Sequence, residues 1–457
     1  MTDVLQVPDV LPLVGGKLSA LAREHRVPGA QLAIHHDGRT LAVEFGEAEH
    51  GTRRRMTRDT TVPVGSVTKA FTATVAMVLV ADGDLELDAP VSDHLPELGE
   101  LGARLTLRQL LSHTAGLPTG PDSEDVATTT VRRYLRDHCR AVDLVLPSGT
   151  GFSYSNLGFV LVGYLIETVT GMDWWSALDS ILLRPLGIEP AAIVGPGAAG
   201  GSRAVATGHS VNVGAGRVRP VRQSLAAAEA AAGALAVSAT DLVALGRLHL
   251  DGGGAGLLPA AYAAAMRSPV PAAEPFGLAD GWGLGLALFN VDGTRWVGHD
   301  GNGDGTACHL RVEPDSGWVV AFTSNANTGT GLWRDLLAEL AGTDLPIAPP
   351  RSAVPPAGTV PAQLACAGTY VNGGMSYVVE SRGGGLYLSV DGDAFARLTC
   401  HENLVFSVRD PASGRQVLGG RFVRDPRTGA VQAIQLDGRL ASRRIHRFRE
   451  SGRARIA

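Results

Sequence analysis

A serine and a lysine three residues apart, Ser66 and Lys69, head a long apolar run that begins Val64-Gly65-Ser66-Val67-Thr68-Lys69-Ala70-Phe71. On a helix, residues at this spacing share one face, a turn apart. Ser66 would open the helix, where free backbone N–H groups and the positive dipole end favour a developing oxyanion. Lys69 would fall in the same turn, where the dipole and burial both push an amine toward its neutral form. A neutral amine beside a hydroxyl can take its proton, so the pair reads as nucleophile and base. The competing reading makes Ser66 an ordinary N-cap and Lys69 a surface residue. Two observations weigh against it. A capping box carries Glu or Gln at the third position, not Lys. The chain also holds only two lysines, Lys17 and Lys69, among 40 basic residues. Arginine, used almost everywhere else, cannot serve as a base.

The remaining bounds are broad. A chain of 457 residues has room for two or three domains and a large core. With 45% hydrophobic and 19% charged residues it has the composition of a soluble globular protein. A net charge of −5 argues against a nucleic-acid partner. Cys139, Cys308, Cys366 and Cys400 are scattered, with no C-x-x-C, and read as separate thiols rather than disulfides or a metal site. The stretch Met1 to Gly16 has acids and prolines in place of a basic-then-apolar leader. No run reads as membrane-spanning, so a cytoplasmic protein with no membrane partner is expected.

Taken in order, Leu18–His25 reads as part of a first helix. Val27–Ile34 and Leu41–Phe45 read as strands joined by a tight Asp37-Gly38 turn. The helix that carries Lys69 is apolar nearly all round, predicting burial, and stops at Asp82-Gly83. Leu105–Leu117 predicts a short helix ending at Gly116, with His113 read as fixing a helix end rather than as catalytic. Thr119–Thr130 reads as a surface loop and Val131–Val142 as a helix. Tyr154-Ser155-Asn156 precedes an apolar helix, Phe159 to Thr170. Ser155 or Asn156 would cap it. Tyr154 and Asn156 would point into a cleft, where a phenol held ionised near a lysine could relay protons. Ser238-Ala239-Thr240-Asp241 is a helix start. Gly252-Gly253-Gly254 reads as a loop, and strands return at Gly281–Leu286. Then follow the glycine-rich stretch Trp296–Gly305, strands at Cys308–Glu313 and Gly317–Ser324, and a closing helix, Leu332–Leu340. Six prolines in the sixteen residues Pro346 to Pro361 mark a linker. Beyond it, short alternating strands separated by turns such as Asp391-Gly392 and Asp437-Gly438 predict a small antiparallel barrel or sandwich in which nothing looks catalytic.

Three motifs together make the chain resemble the serine β-lactamase and penicillin-binding-protein superfamily, whose S-x-x-K signature is Ser66 to Lys69 here. Tyr154-Ser155-Asn156 matches its second motif, and His299-Asp300-Gly301 stands where penicillin-interacting members have Lys-Thr-Gly. The class C-like branch, with its family VIII carboxylesterases, D-aminopeptidases and transacylases, is the nearest pattern. The resemblance covers about residues 18 to 342. It implies an α/β fold: an antiparallel sheet flanked by helices, with a helical region of roughly 85 to 280 inserted. The expected division is a catalytic domain over 1–345, a linker over 346–362 and an all-β barrel domain over 363–457, packed so as to narrow the cleft mouth.

The mechanism the resemblance implies starts with Ser66 attacking an ester or amide carbonyl. Lys69 and Tyr154 share the base role, and Tyr154 later protonates the leaving group. The backbone N–H of Ser66 and one near Thr306 stabilise the oxyanion, each such donor being worth about 3 to 4 kcal/mol. Asn156, His299, Asp300 and Gly301 complete the substrate-binding set. No metal or cofactor is required. His299 is mostly neutral near pH 7 and Asp300 adds negative charge, so a carboxylate-bearing β-lactam fits poorly. Neutral esters, amides or a substrate with a free amine, met by Asp300 or Asp304, fit better.

The expected activity is that of a serine hydrolase working through an acyl-enzyme on small esters or amides. A transacylase that passes the acyl group to an amine or alcohol in natural-product biosynthesis, or a D-aminopeptidase, is the alternative. A non-catalytic binding protein is the third class, and the joint presence of Ser66, Lys69, Tyr154 and Asn156 argues against it.

Overall fold

The computed structural model describes residues 7–189, 191–192, 203–250, 256–341, 347, 355–409 and 414–444. Its first layer is a seven-stranded antiparallel sheet with the order 39–46, 29–36, 318–324, 307–313, 294–301, 287–291, 281–282. The 29–36 and 39–46 hairpin turns through Asp37 and Gly38, both at positive φ. Gly38 adopts this conformation without strain.

The period-two alternation of the strands sorts side chains onto two faces. Val297, Leu310, Val312, Val319 and Ala321 join a large core with the inserted helices. Trp296, Phe289, Val320 and Phe322 join a second core, which also holds Leu18 of helix Val7–Glu24 and Leu332, Leu336 and Leu340 of helix Gly329–Leu340. The first core is organised around helix Thr68–Asp82, in which Thr68 through Leu79 are all buried. The Gly65–Asp82 stretch is long and apolar enough to cross a membrane, yet 78% of it is buried inside the protein. Gly83, in the left-handed conformation, ends that helix, and Gly171 ends helix Asn156–Thr170 in the same way.

Other local expectations differ in detail. The helix after Thr130 is shorter than its pattern, Val131–His138, followed by a 3₁₀ turn at Ala141–Asp143. The expected surface loop begins buried: Thr119 lies under the barrel, its N–H bonded to Asn372, and Gly120 faces Tyr134 and Glu229. Gly252-Gly253-Gly254 and half of the proline-rich stretch, 346 and 348–354, lie outside the described residues. All four cysteines are free thiols.

From Gly368 onward the chain forms nine antiparallel strands that curl into a nearly closed barrel, its last strands being Val431–Leu436 and Arg439–Arg443. Its core gathers Tyr370, Tyr377, Phe406, Phe422 and Ile434. The barrel docks on the segment that leads into the Asn156 helix. Asn372 is fully buried there; its Oδ1 accepts from the Thr119 N–H at 2.7 Å, and its Nδ2 donates to the Leu440 carbonyl at 2.9 Å. The Tyr154 N–H donates to the Gly438 carbonyl at 3.0 Å, and the Ser442 hydroxyl to the Val145 carbonyl at 2.8 Å.

Candidate active site

Ser66 sits in a 3₁₀ turn, Gly65–Val67, that runs directly into the Thr68 helix. That turn is pressed against the end of strand 294–301. A Cβ on Gly301 would collide with the Val64 carbonyl oxygen and the Val67 nitrogen, and one on Gly65 would meet the Asn302 carbonyl. Only glycine at both places lets the strand end lie alongside the serine. Lys69, one helical turn on, is fully buried. Its Nζ donates to Ser66 Oγ at 3.2 Å and to the Ala232 carbonyl at 2.9 Å. It also lies 5.0 Å from the centroid of the Tyr154 ring. Burial, reinforced by the charge of Arg439 and opposed by Glu229, brings its pKa down to about 7. A large part of the population therefore carries a neutral amine at neutral pH, in contact with the serine it would deprotonate.

Tyr154 is likewise buried, but burial acts on a phenol in the opposite sense. Its pKa is pushed up to about 12, against the pull of its hydrogen bond with Ser66 and of the Arg439 charge. This runs against the expectation of an ionised tyrosine: the Ser66 hydrogen bond and the Arg439 charge together do not offset the desolvation, and the phenol stays protonated. Of the two, Lys69 is the group with a neutral, proton-accepting form near pH 7, and Tyr154 is the one that keeps its proton.

Ser155 caps the next helix through its Oγ, which accepts from the Gly158 N–H at 3.0 Å. This fixes the direction of Tyr154 before it and Asn156 after it. Asn156 does not bond Lys69, which is held by Ala232 instead. The Asn156 Oδ1 is buried without a hydrogen-bond partner, an acceptor available to a substrate N–H. His113 holds the same junction: its Nδ1 accepts from the Ser155 N–H at 3.1 Å, and its ring lies 4.2 Å from that of Tyr154. It thus fixes a helix end, but the start of the Asn156 helix rather than the end of its own.

The third motif is split by strand geometry. His299 faces the Tyr154 side, its ring 5.4 Å from Trp282 and 6.4 Å from Tyr154. Its Nδ1 lies 2.7 Å from the Asp300 carbonyl, so Nδ1 carries the proton and Nε2 is a buried, unpartnered acceptor. Burial, with the nearby Lys69, lowers its pKa to about 4 and keeps it neutral. Asp300 points to the other face of the strand. Arg311 donates to both its oxygens, at 2.6 and 3.0 Å, and His309 Nδ1 lies 2.7 Å from Oδ1. Burial works to raise its pKa, but Arg311 and His309 outweigh it and hold the group ionised. Thr306 is not free to serve an oxyanion: its N–H donates to the Gly303 carbonyl and its hydroxyl to the Pro63 carbonyl at 2.7 Å. Thr306 braces the turn beneath the serine, so an oxyanion donor near it would be another backbone N–H of this segment. Asp304 accepts from the N–H and hydroxyl of Ser224, at 2.8 and 2.9 Å, as a turn residue.

Sequence reading missed the contribution of the barrel. Arg439, just past the Asp437-Gly438 turn, reaches the site and donates through Nε to Thr119 Oγ1 at 2.9 Å. Its guanidinium carbon is 5.4 Å from the Tyr154 ring centroid. No carboxylate of the described residues pairs with it. A cleft of about 950 Å³ opens from Ser66, Tyr154, Trp282, His299 and Arg439. It extends between sheet and barrel toward Trp333, Asp335 and Arg415. Among the described residues no cluster could hold a metal ion.

The β-lactamase family model matches residues 15–343, most of the chain, Ser66, Lys69, Tyr154 and His299 among them. The chain belongs to the β-lactamase family. Among curated relatives of this family, penicillin-binding protein 4 of Amycolatopsis lactamdurans is 36% identical, covering 78% of this chain and 96% of the relative. Among solved structures, that of SurE is 40% identical with a TM-score of 0.83, covering 95% of this chain and 98% of that one. A D-stereospecific amidohydrolase from Streptomyces sp. is 27% identical with a TM-score of 0.57, covering 73% of this chain and 99% of that one. The match to SurE takes in the barrel as well as the sheet and helices, so the two parts of the fold recur together.

Proposed function

We propose that this protein is a serine hydrolase of the amidase or esterase type that forms an acyl–Ser66 intermediate. The observation that carries the reading is the 3.2 Å contact between Ser66 Oγ and a fully buried Lys69 whose amine is substantially neutral at pH 7. Lys69 takes the Ser66 proton as Oγ attacks the carbonyl carbon. The oxyanion meets the Ser66 N–H and the backbone N–H beyond Gly301, at the strand end that lies against the serine turn. Tyr154 gives its proton to the leaving oxygen or nitrogen and regains one from Lys69. Water then attacks the ester by the reverse path, leaving the acid and a protonated Ser66.

Arg439 supplies a cation that the third motif lacks, so a substrate with a free carboxylate suits the barrel side of the cleft. The buried acceptors at Asn156 Oδ1 and His299 Nε2 suit amide N–H groups. D-configured aminoacyl or peptidyl groups are the favoured substrates. Support comes from two relatives: SurE, whose structure has also been solved with D-Leu and is 41% identical in that form, and the D-stereospecific amidohydrolase.

A second reading, acyl transfer to an amine or alcohol, is favoured by the size of the cleft, which holds more than one acyl group. Intact-protein mass separates the two. A wild-type adduct from an activated acyl ester, absent in Ser66→Ala and lost quickly in water, supports the hydrolase. An adduct that persists until an amine is added supports transfer. No adduct across a range of acyl groups would overturn both.

A further inference from the structure

A buried carboxylate that the mechanism above does not use lies behind the lysine. Glu229 is 2% exposed and sits in the 3₁₀ turn Ala227–Glu229. Its Oε1 accepts from the Tyr134 hydroxyl at 2.9 Å, and its Oε2 accepts from the Ser123 hydroxyl. The short helix that follows, Ala230–Gly233, turns two carbonyls toward the Thr68 helix. Ala231 accepts from Thr72 Oγ1 at 2.8 Å and Ala232 accepts from Lys69 Nζ at 2.9 Å. Glu229 is thus tied by hydroxyls to the 119–130 loop and to helix Val131–His138, and by its own backbone to the turn that holds the lysine.

The charges around Lys69 make this carboxylate significant. When Lys69 takes the Ser66 proton it becomes an ammonium on a fully buried side chain. Such a charge is costly unless it is offset. Ser66 and Tyr154 are neutral partners, and His113 and His299 are kept neutral by burial. Arg439 is a cation and opposes the new charge, whereas Glu229 is the anion that favours it. A structural anchor would need only an uncharged acceptor for Tyr134 and Ser123. Among the described residues no arginine or lysine forms an ion pair with this carboxylate, and a buried carboxylate so placed is an expensive way to make an anchor.

We propose that Glu229 is a positioning residue of the active site: the buried anion that offsets the charge Lys69 acquires on deprotonating Ser66, and the anchor of the turn whose Ala232 carbonyl holds the ammonium. The proposal rests on the reading of Lys69 as the base. It deepens that reading by giving the acylation step a second, remote charge.

The test is the pH dependence of Ser66 acylation by p-nitrophenyl acetate, followed by intact mass on the full chain. The proteins are wild type, Glu229→Gln, Tyr134→Phe and Ser123→Ala, each with a thermal melt. Glu229→Gln keeps the shape and removes the charge. Its acid limb should move down by about half a pH unit or more, and its plateau rate should fall several-fold. Tyr134→Phe and Ser123→Ala keep the charge and withdraw a donor that spreads it, so their limb should move up, by a few tenths of a unit. If Glu229→Gln does not fold, the upward shift in those two variants decides the matter. A wild-type limb in Glu229→Gln overturns the proposal, as does an unmoved limb in both hydroxyl variants. If wild type forms no Ser66 adduct, the base assignment falls and the proposal falls with it. A normal adduct with unmoved limbs overturns the proposal alone.

Discussion

Arg439 and Tyr154 meet across a domain boundary. The guanidinium of a barrel residue lies 5.4 Å from the ring of the catalytic-domain tyrosine, and the turn before it accepts the Tyr154 N–H. The barrel therefore lines the same cleft as Ser66. Arg439→Gln should raise KM for substrates with a free carboxylate by about 10- to 100-fold, the range of a lost charge-assisted hydrogen bond. Neutral esters should be affected far less. Steady-state kinetics on a matched acid and methyl-ester pair checks this, and equal losses on both would count against the carboxylate role.

Acylation should show an acid limb with a midpoint near pH 7, the value to which burial brings Lys69. The neutral amine is the active form, so the rate rises with pH. His299, held neutral with a pKa near 4, should add no limb near 6.5. Lys69→Arg should lose acylation by about 1000-fold or more, because a guanidinium does not deprotonate. Pre-steady-state burst measurements between pH 5 and 9 report both effects.

The same lysine lowers stability. Its folded pKa lies below its unfolded one, so folding must neutralise it or bury its charge. The cost is fully present below about pH 7 and fades as pH rises toward 10.5. Lys69→Met should therefore be more stable than wild type, on the order of a few kcal/mol near pH 6. Paired thermal melts should converge as pH increases, and a gap independent of pH would contradict the account.

Gly301→Ala forces a Cβ into the Val64 carbonyl and the Val67 nitrogen. The strand end must back away from the serine turn. A displacement of about 1 Å at an oxyanion site costs about 100-fold in rate. We expect kcat for ester hydrolysis to fall by that order while the fold survives, as judged by far-UV circular dichroism.

Asn372 has no chemistry of its own, but its amide joins Thr119 to Leu440. Asn372→Ala leaves a buried N–H and a buried carbonyl unmatched, costing about 1 to 3 kcal/mol for each group. It should also loosen Arg439, which leans on the same Thr119. Melting temperature and the KM for carboxylate-bearing substrates should change together.

Much of this was legible in the chain because it is written in local chemistry. Lys69 stands out in an arginine-rich sequence, and its spacing from Ser66 is a helical turn. The apolar circumference of Thr68–Asp82 announced a buried helix, and the caps at Ser155, Ser238 and Gly83 are where their residue types place them. His299-Asp300-Gly301 was legible only as a motif. Its separation into a site-facing histidine and an arginine-bound aspartate follows from strand alternation, which needs the neighbouring strands to fix which face is which.

The sequence by itself pointed to the β-lactamase fold with its all-β C-terminal part and singled out Ser66, Lys69 and Tyr154 as candidates, since each rests on short local motifs. Only the tertiary structure decided that Tyr154 stays protonated, that Thr306 braces a turn, and that the charges of Arg439 and Glu229 bear on Lys69. Burial sets the direction of a pKa shift, and burial arises from packing between distant segments. Arg439 is 285 positions from Tyr154 in the sequence. A hairpin turn in an ordinary-looking barrel carries no local mark of the site it completes.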